Sequence, residues 1–177
     1  MASEDTAAGE TRYELLGREL RYRPVTVTTP DGLKIASQDW KREGSGRDVL
    51  FIHGFAQSHL SWLKQVASPL ADTFRLATYD LRGHGQSEKP FDPAYYRDTK
   101  RWADEVDAVI QTLGLDRPVI VAWSFLMVAI SALSEAMRSA DRLICCDTRA
   151  YSASGKSGPA TEAVSSVLPA KVPTASS

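Results

Sequence analysis

Pro118-Val119-Ile120-Val121-Ala122-Trp123-Ser124-Phe125-Leu126 reads as a short apolar strand that turns sharply into a helix, with a serine at the corner. Apolar residues at successive positions belong to a strand covered on both faces. The same signal occurs upstream at Val49-Leu50-Phe51-Ile52, and a third strand is expected over Phe74 to Tyr79. Between these strands the apolar residues recur at helical spacing. Leu63, Val66, Ala67 and Leu70 mark a helix over Leu60 to Ala71, irregular near Pro69. Trp102, Val106, Val109, Ile110 and Leu113 mark the clearest one, over Thr99 to Leu113, with Gly114 as its stop. Strands alternating with helices predict an α/β domain with a mostly parallel sheet and helices on both faces.

Around this frame the chain divides into three. Residues 1–20 read as a flexible leader, with one helical turn around Tyr13 to Leu20. Residues 21–147 form the domain. It opens with an antiparallel hairpin, since Val25 to Thr28 and Leu33 to Trp40 alternate about the turn Thr29-Pro30-Asp31-Gly32. Toward its end a helix is expected over 125–140 and one more buried strand over Leu143 to Cys146. Residues 148–177, rich in Ala, Ser, Pro, Thr and Gly, read as a disordered or loosely attached tail.

Composition narrows the classes. The chain has 177 residues, 43% hydrophobic and 24% charged, with a formal net charge of -1. That balance gives no electrostatic reason to bind nucleic acid or an anionic membrane. No apolar run approaches the roughly 20 residues of a membrane span. The first ten residues lack the basic and apolar regions of a secretory signal. Cys145 and Cys146 are adjacent, which suits neither an ordinary bridge nor a zinc site. Free thiols in a reducing compartment, the cytoplasm, are the expectation.

Three local patterns carry chemistry. Phe51-Ile52-His53-Gly54-Phe55 puts a His-Gly pair directly after a buried strand, where glycine lets the backbone turn and present the next amide. Asp80-Leu81-Arg82-Gly83-His84-Gly85-Gln86-Ser87 closes the next strand, and the Ser124 corner closes the last. A serine hydroxyl needs a base to become a nucleophile, usually an oriented histidine. The chain has three histidines, His53, His59 and His84, all upstream of Ser124. A serine at this position can also serve as the N-cap of the helix that follows.

In this order and at these strand ends, the three motifs resemble the α/β-hydrolase fold family, from about Tyr22 to Phe125. The resemblance implies Ser124 as nucleophile and the backbone amides of Phe55 and Phe125 as an oxyanion hole. It implies a structural loop at Asp80 to Ser87, and no metal or cofactor. A serine rather than an aspartate nucleophile points to esterases, lactonases, proline iminopeptidases and perhydrolases, with a small acyl compound as substrate. The family places its base after the nucleophile, which assigns structural roles to His53 and His84. His59, at the start of the next helix, either lines the pocket or faces solvent.

The pattern then departs from the family. Ala122 replaces the first glycine of Gly-x-Ser-x-Gly, a mild change, and Leu126 replaces the second. A leucine at that close crossing is expected to cost about 1–3 kcal/mol. Asp147, after the last strand, is the candidate acid, and no histidine follows it. The expectation is an incomplete α/β-hydrolase fold, truncated or frameshifted after the corner, inactive or nearly so. Two readings of the end stay open: a natural chain with family-like spacing, or residues foreign to the fold after Phe125. The alternative functions are a non-catalytic binding or regulatory module, for instance one that pairs with full-length relatives through its open sheet edge, and a non-functional product. Self-association through that edge is the partner expectation.

Overall fold

The computed structural model describes residues 5–7, 9–15, 17–40, 46–123 and 142–146. Among these described residues, eight strands form one mixed sheet in the order β1-β2-β3-β4-β6-β5-β7-β8. The antiparallel half comprises β1 (Asp5–Ala7), β2 (Glu10–Leu15), β3 (Arg18–Thr28) and β4 (Lys34–Asp39). The parallel half comprises β5 (Asp48–Ile52), β6 (Arg75–Tyr79), β7 (Val119–Trp123) and β8 (Arg142–Cys146), with β4 joining β6 antiparallel. The expected strand over Leu143 to Cys146 is therefore present, paired with β7 in register Ala122↔Cys145. The expected helix over 125–140 and the tail 148–177 lie outside the described residues.

Helices cover both faces, as the alternation required. The chain leaves β5 for β6 on one side, then crosses back over β5 to reach β7. Right-handed crossovers in opposite directions put their helices on opposite faces. A 3-10 turn (His59–Trp62), α1 (Leu63–Val66) and α2 (Leu70–Thr73) cover the first face, packing Trp62, Val66 and Ala71 on Phe51, Leu76 and Val121. On the other face α3 (Ala94–Arg97) leads into α4 (Thr99–Leu113), which packs Val106, Val109 and Ile110 on Leu50, Ala77 and Ile120. The single helix expected over Leu60 to Ala71 is broken at Ser68-Pro69. Proline has no N–H to continue the ladder, and the Ser68 hydroxyl instead donates to the Gln65 carbonyl at 2.7 Å.

The helix α4 stops where the sequence said it would, at Gly114 with φ 61°. It starts at Asp98, whose carboxylate accepts the Lys100 N–H at 2.9 Å. An Asp98→Ala variant is expected to lose about 1 kcal/mol of stability, read as a lower urea midpoint at unchanged slope.

The leader expected over residues 1–20 is corrected. Residues 10–15 and 18–20 are strand, not a helical turn, and β2 pairs with β3 through Tyr13↔Leu20. The reason is a period of two that runs through Thr11, Tyr13, Leu20 and Tyr22, all of them buried. Tyr13 stacks on Tyr22 with ring centroids 5.9 Å apart, and Tyr22 packs on Trp40 at 4.7 Å. These rings form one continuous apolar face with Phe51 and Trp62.

Candidate active site

The connections on either side of β5 and β7 run in opposite directions, so the sheet has its topological switch point there. In open α/β sheets ligands bind in the crevice beyond the carboxyl ends of the strands at such a point. The loops that carry the sequence motifs gather at that end. Residues 53–58 follow β5, residues 80–93 follow β6, and Ser124 follows Trp123 directly in the chain.

Of the sequence-assigned residues, Phe55 lies at this end of the sheet with its side chain 68% exposed. Ser124, Phe125, Leu126 and Asp147 lie outside the described residues. The turn that carries Phe55 is held from several sides. The Gly54 N–H donates to the Gln57 side chain at 3.0 Å, and the Gly54 carbonyl accepts from His53 Nδ1 at 2.7 Å. Ala56 takes a left-handed φ of 57°, uncommon for a residue with a Cβ. Its N–H donates to His84 Nε2 at 3.1 Å.

Each histidine has a fixed occupation. His53 is fully buried; its Nδ1–H donates to Gly54, and its Nε2 accepts the Leu81 N–H at 3.0 Å. His84 has the same tautomer, with Nδ1–H donating to the Arg82 carbonyl at 2.9 Å and Nε2 accepting from Ala56. In neither is a lone pair left to take a proton from a hydroxyl. His59 is buried, which rules out the solvent-facing reading. Its Nδ1 and its backbone N–H both donate to Asp80. Its Nε2 has no hydrogen-bond partner among the described residues. This His-Asp pair has the form of a base and its orienting carboxylate, but the carboxylate that holds the ring follows β6. Two strand spacings, about 9.6 Å, separate β6 from β7, and the His59 ring packs 6.2 Å from Tyr22, on the side away from β7.

Asp80 joins the two loops. Burial alone would raise its carboxyl, but the His59 side chain and the Gln86 and His59 N–H groups hold it below the ordinary carboxylate range. The rest of the loop is the structural element that the sequence motif implied. Arg82 is fully buried and uses every N–H it has: Nε on Glu105 at 2.7 Å, and the two terminal nitrogens on Asp31, Tyr95 O and Arg101 O. Its guanidinium also lies 5.7 Å from the Trp102 ring. Ser87 ties the loop to β4 by accepting the Ala36 N–H at 2.8 Å.

His53 gives the site a pH dependence. Burial pushes its pKa below the ordinary 6.5, against the smaller opposing effects of Gly54 and Asp80. The folded state then binds a proton less readily than the unfolded chain, so the neutral ring stabilises most above pH 6.5. That stability is lost as pH falls through the lower folded value. The stability advantage of the wild type over His53→Gln is expected to be largest above pH 7 and to narrow toward pH 5, measured by urea unfolding.

Among the described residues, no group of three His, Cys, Asp or Glu side chains is arranged to hold a metal ion. Nor is any helix there long and apolar enough to cross a membrane.

Comparison with known proteins agrees with the strand order and the loops. A model of the alpha/beta hydrolase fold matches residues 49–125. A probable oxidoreductase of Mycobacterium bovis is 40% identical over 97 residues, which are 54% of this chain and 16% of that protein. A bifunctional esterase/perhydrolase of Acinetobacter calcoaceticus is 37% identical over 101 residues, 55% of this chain and 34% of the relative. Among solved structures, a putative aryl esterase from Burkholderia cenocepacia superposes with a TM-score of 0.65 at 38% identity, covering 70% of this chain and 46% of that one. The chain thus spans less than half the length of each of these proteins. By its sheet order, its loop motifs and these likenesses, the chain has the α/β-hydrolase fold in incomplete form and is similar to that family over residues 49–125.

Proposed function

We propose that this chain carries the nucleophile and oxyanion-hole part of a serine hydrolase for a small ester, lactone or related acyl compound. Ser124 attacks the acyl carbon and its proton leaves to a base. The negative charge on the tetrahedral oxygen is met by the amides of Phe55 and Phe125, and the leaving group departs to give an acyl-serine. The observation that carries this reading is the bonded turn 53–57 at the end of β5, beside the strand that leads straight into Ser124. The likeness to an esterase/perhydrolase and to a putative aryl esterase supports the acyl class.

The same geometry limits what the chain does by itself. Both ring nitrogens of His53 and of His84 are occupied, and His59 is bound to Asp80 at the end of β6. We read all three as structural rather than as the base for Ser124, so turnover by this chain is expected to be very slow. The absence of a base slows deacylation as well as acylation. Incubation with p-nitrophenyl acetate is therefore expected to build up a slow acetyl adduct on Ser124, located by peptide mass spectrometry and missing in Ser124→Ala. Acetyl groups spread over lysines, with none on Ser124, would reject the reading.

A further inference from the structure

We propose that His84 is a positioning residue for the oxyanion turn: its unprotonated Nε2 holds the Ala56 amide and so fixes the peptide plane that follows the Phe55 amide. The oxyanion role of Phe55 rests on the function proposed above, whereas the hydrogen bond that fixes the turn does not.

Ala56 stands in left-handed backbone at φ 57°, a conformation that a residue with a Cβ keeps only when its surroundings hold it. Here the holder is the Ala56 N–H bond to His84 Nε2 at 3.1 Å. The Phe55 N–H lies in one peptide plane with the Gly54 carbonyl, which His53 holds, and the Phe55 carbonyl lies in one plane with the Ala56 N–H, which His84 holds. The two bonds together fix φ and ψ of Phe55.

His84 can do this in one tautomer only. Its Nδ1 faces the Arg82 carbonyl at 2.9 Å, which accepts and cannot donate, so the proton is on Nδ1 and the lone pair on Nε2. The ring is also held in place. It packs 5.3 Å from the His53 ring and meets the edge of Phe55 at 5.5 Å. Its carbonyl partner belongs to Arg82, which is anchored on α4 through Glu105. The position of the turn is thus relayed from the core helix through Arg82 and His84 to Ala56.

The test uses the isotope-labelled full chain. In the wild type, a through-hydrogen-bond coupling between the Ala56 amide nitrogen and His84 Nε2 is expected, with the Nε2 shift of an unprotonated acceptor. A protonated Nε2, or no coupling, would overturn the proposal whether or not any variant folds. His84→Gln keeps an acceptor near the Nε2 position, and His84→Phe keeps the ring contacts but not the acceptor. The Phe variant is expected to shift the Phe55 and Ala56 amide signals and to speed Ala56 exchange about fivefold. The Gln variant is expected to restore both. Identical Phe55 and Ala56 signals in the wild type and the Phe variant would also overturn it. None of these readouts depends on Ser124 reactivity, so a coupled His84 without an acetyl-Ser124 adduct rejects the proposed function alone.

Discussion

An Arg82→Met variant is expected to lose about 3–5 kcal/mol of stability at pH 7, read from urea unfolding. The loss comes from the groups left behind more than from the bonds removed. Glu105 is fully buried, accepts both the Arg82 side chain and its backbone N–H, and would keep only the latter. Asp31 would keep Thr29 and Arg101. Burial raises the Glu105 carboxyl more than the Arg82 guanidinium lowers it, which leaves it at about 7. With that pull gone the folded value rises further above the unfolded 4.5. A group raised in this way stabilises most below the unfolded value and loses its contribution as pH rises through the folded one. The deficit of Arg82→Met is therefore expected to shrink on acidification toward pH 5. Pairing it with Glu105→Gln is expected to recover part of the loss at pH 7. A single variant within 1 kcal/mol of the wild type would refute the keystone role of Arg82.

Gly85→Ala is expected to cost about 3 kcal/mol, from left-handed backbone strain together with a clash. Gly85 has φ 47°, and a Cβ there would fall inside the Asp80 carboxylate. Asp80 cannot move aside without releasing His59 and Gln86, both of which donate to it. The effect is expected to reach the site as well as the stability, because Asp80 joins the loop after β5 to the loop after β6. The urea midpoint reads the first effect, and loss of the buried His59 ring proton signal reads the second. By contrast, Gly32→Ala meets no atom within 4 Å and carries only the strain of φ 86°, so it is expected to cost less.

Much of this architecture was legible because it is local. The apolar runs of β5, β6 and β7, the 3.6-residue stripe of α4 and the glycine at its end are each set by neighbours in the chain. The β2–β3 hairpin was missed because Tyr13, Leu16 and Leu20 also recur at helical spacing, which competes with the period of two on either side of the turn at Gly17, φ 71°. Its burial depends on Trp40, Phe51 and Trp62, which are distant in sequence. The site was legible as motifs but not as bonds. That His59 would bind Asp80, and His84 would bind Ala56, depends on which loops the sheet order brings together. One signal was available: Glu105 lies on the same face of α4 as Trp102, Val106 and Val109. A carboxylate in a buried stripe requires a buried cation, and Arg82, the cation of the loop motif, is that partner.

In the function proposed above, Ser124 and the turn at Phe55 stand without help from His53, His59 or His84. Labelling by a fluorophosphonate, followed by intact-protein mass spectrometry, tests it most directly. Labelling is expected to be about ten-thousand-fold slower than that of a serine hydrolase with its triad intact. Added imidazole is expected to accelerate it, and Ser124→Ala to abolish it. Fast, stoichiometric labelling that depends on Ser124 would contradict it by showing that a base is already present.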